Sequence, residues 1–313
     1  MSGIGFFIVP KDEDIFSMDP QDLADSLYAL ADSPVCGLPD GEYDVIPIGA
    51  RRTLEVASLD PDTASYIAAG EAEDGEPLEP AIVDAFDAFV RGCKDDASPL
   101  PGVTNWQAMA AGGVVPLLGW RTLAAALLPL VGPAPTNNNF VSADYNRITG
   151  LKGDGTTKFL GLNRAGNADP QDNSHMAVYC TELVTTTTYQ ALMGGGSNET
   201  GANNILVRTA RWGARVRFST FEEHPVGSTP AVGLFGVSRG AAENYQWRNA
   251  SASGTQARAS SAPSSANLRL FGRGDGAENA SRAALVSSGE PIDLAALQSR
   301  VATLTAAINE ALT

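Results

Sequence analysis

Two histidines, a few neighbouring carboxylates and one glycine-rich segment are the residues of this sequence whose types and spacing could do chemistry. Cleavage of a glycosidic bond needs two carboxyl groups across one cleft, and on a strand two residues share a face at i and i+2. Glu222 and Glu223 are adjacent and so point to opposite faces. Asp169 and Asp172 lie in "NADPQDNSH", a Pro- and Asn-rich stretch whose carboxylates suit turn chemistry. His175 stands beside the apolar set Met176, Val178 and Cys180, and His224 precedes Pro225 at a strand end. Both read as structural histidines. No Ser/His/Asp order stands out, so no catalytic residue is expected and the chain reads as a protein that is not an enzyme.

The glycine-rich segment is "TGLKGDGTTKFLGLNR", Thr149 to Arg164. A phosphate-cradling loop follows G-x-x-x-x-G-K-[ST] and opens a helix. Gly150 and Gly155 have that separation, but Thr156 stands where the lysine should be, and Lys158 comes two positions late. The residues that follow are poor helix formers. Asp154-Gly155 reads instead as a tight hairpin turn, because Gly takes positive φ freely and Asp tolerates it.

Binding chemistry is better represented. Sugars are held by aromatic platforms and planar polar side chains, and "SRGAAENYQWRNASAS" carries Tyr245, Trp247, Arg248 and Asn249 in a polar stretch. Tyr245 and Trp247 share one strand face; they form either a platform or part of a core. Asp172 and Asn173, with Asp169, could hold sugar hydroxyls or a Ca²⁺ ion, although the loop lacks EF-hand spacing. No metal and no cofactor are expected, with Ca²⁺ the alternative. Arg273-Gly274-Asp275 spells a cell-adhesion tripeptide, read as coincidence in a Gly-rich turn.

Composition bounds the partners. The 313 residues carry 21 basic and 36 acidic side chains, a net charge of −15, which argues against a nucleic-acid-binding face and against binding to anionic membrane surfaces. Cys36, Cys93 and Cys180 are scattered and odd in number, so three reduced thiols are expected, as in a protein assembled in a cytoplasm. The apolar stretch Met109 to Pro135 is broken by Pro116, Arg121 and Pro129, which argues against a membrane span and for a buried segment followed by a short helix, Arg121 to Leu128.

These residues must be positioned by elements of two textures. Residues 1–80 are acidic and proline-rich. Ile4 to Val9 reads as a first strand, "DPQDLADSLYALA" as a helix capped by Asp19, and "DGEYDVIPIGARRTLEVASL" as turn and short strands. "PLEPAIVDAFDAFVRGCKDD" is a second helix, with Ile82, Phe86, Phe89 and Val90 at helical spacing. From "GPAPTNNNF" onward Thr, Ser, Asn and Gly dominate. In "ARWGARVRFS", Ala210, Trp212, Ala214, Val216 and Phe218 alternate with Arg211, Gly213, Arg215, Arg217 and Ser219, which predicts one buried and one wet face. "HMAVYCTE", "AVGLFGVSR" and "NLRLFGRG" are further strands, and the set predicts an antiparallel sandwich or barrel.

The chain closes on a helix in which Leu294, Leu297, Val301, Leu304, Ile308 and Ala311 follow the 3-4 spacing of a coiled-coil seam. A helix this short must pack on something, either its own domain or symmetry mates. The seam gives a reason to expect a homo-oligomer, a trimer.

"TLAAALLPLVGPAPTNNNFVSADYNRITGLKGDGTTKFLGLNRAGNADPQDNSHMAVYCTE", with the later "LFGVSRG" and "GEPIDLAALQSRVATLTAAINEAL", resembles a family of tail-associated structural proteins of bacteriophages, common in phages of cyanobacteria and other aquatic bacteria. The likeness covers roughly Leu78 to the end. It implies a mainly β, concanavalin-like antiparallel jelly-roll sandwich in a virion protein, a tail fibre or receptor-binding component facing host surface polysaccharide. Residues 1–77, which the likeness does not cover, are read by elimination as an N-terminal α+β attachment module docking on tail or baseplate proteins; a helical connector (78–132), the sandwich (133–290) and a C-terminal oligomerisation or packing helix (291–313) are expected to follow. The alternatives are a decoration or adaptor protein without a glycan site, and a capsular polysaccharide depolymerase.

Overall fold

The computed structural model describes residues 6–10, 43–47, 59–197, 199–218, 222–223 and 229–313. The helix expected after Asp19, together with Cys36 and His224, lies outside the described residues. The chain divides into two compact units, Met1–Ser58 and Leu59–Thr313. In the first, β1 (Phe6–Pro10) pairs antiparallel with β2 (Tyr43–Pro47), Ile8 opposite Val45. The boundary therefore falls about one helix earlier than the 77/78 division expected, because residues 59–77 fold with the C-terminal unit.

That unit opens with α1 (Pro61–Asp74), started by the Asp60 carboxylate accepting from the Asp62 amide and by Pro61 in its first turn, where a missing N–H costs nothing. Helix α2 (Pro80–Asp95) buries the expected stripe Ile82, Phe86, Phe89 and Val90. A Thr104–Gln107 capping box starts α3 (Asn105–Ala110), and Thr122 caps α4 (Leu123–Ala126), inside the short helix expected there. Helix α5 (Leu294–Leu312) packs along α2. Tyr66, Phe86 and Trp120 form an aromatic cluster in this layer, with Trp120 Nε1 donating to the Tyr66 hydroxyl at 2.6 Å. No helix of the described residues is long and apolar enough to cross a membrane.

The rest is an antiparallel sandwich. Among the described residues its seven-stranded sheet runs β12 (Glu222–Glu223), β11 (Arg211–Val216), β10 (Asn203–Arg208), β9 (Gln190–Gly195), β16 (Asn267–Leu270), β7 (Phe159–Ala165), β4 (Thr136–Asn138). The eight-stranded sheet runs β15 (Ser253–Ala257), β14 (Asn244–Asn249), β13 (Gly233–Arg239), β8 (Ser174–Glu182), β17 (Arg282–Gly289), β6 (Gly150–Lys152), β5 (Tyr145–Asn146), with β3 (Gly113–Pro116) also paired to β17. The mainly β, antiparallel class is as expected.

The helices lie on the outer face of the eight-stranded sheet. Ala177, Leu234, Ala284 and Leu285 join the helical core, while Val178, Phe235, Val237 and Val286 face the other sheet. This sheet is buried on both faces, which is why β13 is buried along its whole length instead of alternating. The segment expected as a connector is thus part of one three-layer body.

Two expectations are corrected here. The seam residues Leu294, Leu297, Val301, Leu304 and Ile308 are all buried inside their own chain, so the stripe expected to join copies is used against α2 and the sandwich. The predicted wet face of β11 is dry at Arg215 and Arg217, which are 5% and 1% exposed. Loops from distant parts of the chain cover it and supply carbonyls: Arg215 Nη1 donates to Ser197 O at 2.8 Å, and Arg217 Nη2 to Gly166 O at 3.0 Å.

Candidate functional site

The glycine-rich segment does not hold a phosphate. The Asp154 carboxylate already accepts the amides of Thr156, Thr157 and Lys158 at 2.8–2.9 Å. Burial pulls that carboxyl up, but the Thr157 hydroxyl and these three amides outweigh it and hold it well below the usual range. Lys158 closes on Asp144 at 2.7 Å. Gly155 has φ +75, as a tight turn requires, and Gly150 (φ +94) lies so close to the Ala283 carbonyl that a Cβ would come to 2.0 Å. The turn is not a hairpin, however: β6 and β7 belong to different sheets, so it carries the chain across the sandwich.

The carboxylates have structural partners. Asp169 pairs with Arg164 and lies 3.8 Å from Arg217, whose guanidinium burial lowers to about 10. Asp172 accepts from Ser260 Oγ at 2.5 Å, and the backbone N–H of Asn173 donates to Pro170 O at 3.0 Å. Asp172 and Asn173, expected to contact ligand, are half-buried in a loop clamped against buried arginines. Among the described residues no three His, Cys, Asp or Glu side chains gather as a metal site. Glu223 is held by Arg208 at 2.7 Å, by Arg211 and by the Tyr189 hydroxyl.

His175, 1% exposed, has the structural role expected. Its Nδ1–H donates to Glu290 O, so Nε2 is the acceptor of the Ser287 hydroxyl at 2.8 Å. Burial pushes its pKa down to about 4, from an ordinary 6.5. The folded state keeps it neutral while the unfolded chain takes up a proton. Its contribution to stability is complete above pH 6.5 and is lost as pH falls towards 4, by about 3 kcal/mol at roughly 1.4 kcal/mol per unit. Urea unfolding at pH 7 and pH 4 should show that loss in the wild type, and a smaller one in His175→Gln.

Tyr245 and Trp247 point into the core between the sheets, 0% and 6% exposed. Trp212 meets Trp247 edge-on at 5.8 Å, and Phe218 stacks on Tyr245 at 5.7 Å. The platform expected from these two rings is corrected: they are core. Asn249 is also buried; its Oδ1 accepts the Ser251 and Ala252 amides at 3.1 and 2.8 Å and shapes the β14–β15 turn.

The opposite face of the same strand carries the site. Gln246 and Arg248 project outward between the core positions, opposite Thr255 and Ser253 of β15. With Asp293 and Ala295 at the start of α5 they line a cleft of about 220 Å³. Arg248 Nε donates to Gln298 Oε1 of α5 at 2.6 Å, which fixes the guanidinium as one wall. The Asp293 carboxylate caps α5 through the Ala295 and Ala296 amides at 2.7 and 3.1 Å. Gln246, Ser253 and Thr255 make no side-chain hydrogen bond among the described residues, so an amide and two hydroxyls face the opening. The cleft is smaller than the roughly 300–1,000 Å³ of drug-sized sites; it suits one polar, ring-sized ligand. Of the expected ligand residues it includes Trp247 at its wall and Arg248. It leaves out Tyr245, Asn249, Asp172 and Asn173.

The fold and this cleft define an antiparallel sandwich with a small polar surface site. No protein-family model matches the sequence, and no curated protein does. Among solved structures, the chain is similar to Trypanosoma rangeli sialidase in complex with sialic acid, at 13% identity over 74% of this chain and 38% of that one, with a TM-score of 0.43. It is also similar to the carbohydrate-binding module of Ruminococcus gnavus IT-sialidase bound to alpha2,3 sialyllactose, at 10% identity over 41% and 82% of the two chains, TM-score 0.32. An arabinofuranosidase complexed with arabinofuranosyl-alpha-1,2-xylobiose matches at 16% identity over 50% and 40%, TM-score 0.35. The chain spans little more than a third of the trypanosomal sialidase it matches.

Proposed function

We propose that this chain is a sugar-binding structural component of a bacteriophage virion, a tail fibre or receptor-binding protein that meets host surface polysaccharide through its sandwich. The observation that carries the reading is the cleft between β14, β15 and α5, where Gln246, Ser253 and Thr255 offer unengaged amide and hydroxyl groups beside a fixed arginine. Such groups match the alternating donors and acceptors of a sugar ring. The virion assignment rests on the resemblance of the segments quoted above, with the residues before the sandwich as the part that docks on tail or baseplate proteins. One such site would be weak: a millimolar contact is worth about −4 kcal/mol. Several copies on one particle raise avidity by roughly 10² to 10⁴. Binding rather than cleavage is favoured because Asp169, Asp172 and Glu223 are engaged elsewhere.

The burial of Tyr245 and Trp247 favours a second reading, a decoration or adaptor protein without a glycan site. Labelled protein incubated with host cells separates the two. Saturable binding that soluble host polysaccharide competes away, and that Thr255→Trp weakens at least tenfold by filling the cleft, is the expected result. Absence of binding by a folded protein would favour the adaptor.

A further inference from the structure

The outer face of the seven-stranded sheet carries a feature unrelated to the cleft. Antiparallel register places Thr136, Gly161, Arg269, Gly194, Asn204 and Arg215 in one row across β4, β7, β16, β9, β10 and β11. At roughly 4.8 Å per strand the row is about 24 Å long. Arg269 stands at its centre with a glycine on either side. Its guanidinium lies over the Phe159 ring at 4.3 Å and, among the described residues, makes no hydrogen bond or ion pair. A cation held flat on an aromatic ring keeps its N–H edge free and oriented.

The two sides of Arg269 differ: a Cβ on Gly194 would meet Asn204 Oδ1 at 2.2 Å and the Arg273 Cβ at 2.9 Å. A Cβ on Gly161 would meet nothing nearer than Thr136 at 3.6 Å, with the Asn138 and Asn163 amides just beyond. Towards the other end of the row, Arg273 has its Nε on Asp275 at 2.8 Å, and Arg215 feels both Arg273 and Glu199. Asn204 is fully buried and its Oδ1 has no hydrogen-bond partner; the buried Nε of Arg215 has none either. Three guanidiniums thus gather on one face of a chain whose net charge is −15.

We infer that the Arg269 end of this row is a second saccharide site, selective for a sugar that carries a carboxylate. The carboxylate matches the free fork of Arg269 in two parallel hydrogen bonds. The ring lies over Gly161, and its hydroxyls meet the polar edge of Thr136, Asn138 and Asn163, which is held in place by Asn163 Nδ2 donating to Ala134 O at 2.7 Å and by Asn138 Nδ2 donating to Thr136 O at 3.1 Å. The row shares no residue with the cleft beside α5, so either site stands if the other fails.

The test uses the whole chain with trigalacturonate as the acidic probe, galactotriose as its neutral counterpart, and inorganic phosphate as a bare anion. Titration calorimetry should give saturable trigalacturonate binding, at least tenfold tighter than galactotriose and weakened by salt. Arg269→Gln should weaken it at least tenfold with an unchanged unfolding midpoint. Arg269→Lys should restore only part, since an ammonium keeps the charge but neither the fork nor the stacking. Thr136→Trp, at the exposed rim, should weaken it as well. Failure of trigalacturonate to saturate, unaltered binding in Arg269→Gln and Thr136→Trp, or phosphate binding as tight as trigalacturonate would each overturn the inference.

Discussion

Replacing Trp247 by alanine is expected to destabilise the sandwich by about 3–5 kcal/mol, not simply to remove a ligand contact. The indole lies between the sheets at 6% exposure, edge-on to Trp212, and covers Gly254 so closely that a Cβ there would come within 2.8 Å of the ring. Its removal leaves a cavity that β14 and β15 cannot close without giving up their pairing. For a unit of this size the melting temperature should fall on the order of 10 °C. Gln246→Ala, one residue away on the opposite face, should stay within about 0.5 kcal/mol of wild type. Calorimetric melting of the two variants checks the pair. A Trp247→Ala protein that melts like wild type would contradict the assignment of this ring to the core.

The second large effect is expected at α5. Leu297→Ala should destabilise by about 2–5 kcal/mol and leave the oligomeric state unchanged. Leu297 is fully buried in the helical core with Val301, Leu304 and Ile308, and Leu294 rests against Gly236 of β13. The helix is further tied down by Arg300, which reaches Asp96 at 2.9 Å, and by Gln298 on Arg248. Urea unfolding and sedimentation of wild type and variant measure the two properties separately. A variant of undiminished stability that changes its oligomeric state would restore the seam as an interface between copies.

Local patterns in the sequence were legible where their cause was local. The stripe of α2 and the alternation Trp212, Ala214, Val216 follow from periodicity, and both face cores. Helix α1 escaped notice although Asp60-Pro61 marks its start, because the residues it buries include Thr63 and Gly70 as well as Tyr66 and Ile67. The burial of Arg215 and Arg217 depends on carbonyls at Ser197, Gly166 and Pro170, remote in sequence, and no strand pattern contains them. The same holds for the sheet switch at Asp154, where the turn chemistry is local but the choice of partner strand is not.

The candidate site shows the same division. "NYQWRN" alternates, so assigning Tyr245 and Trp247 to the core places Gln246 and Arg248 outside, and that step was open to sequence reasoning. What it could not supply is the other wall: Asp293 and Ala295 reach the cleft only because α5 returns across the outer face of the eight-stranded sheet.

The most direct test of the sugar-binding reading is a crystal structure of the protein soaked with oligosaccharide released from host surface polysaccharide. The account predicts a sugar ring in the cleft, hydrogen-bonded to Gln246 and Thr255 and bordered by Arg248. A fully occupied saccharide elsewhere, with this cleft filled only by water, would contradict the assignment of the site to this cleft.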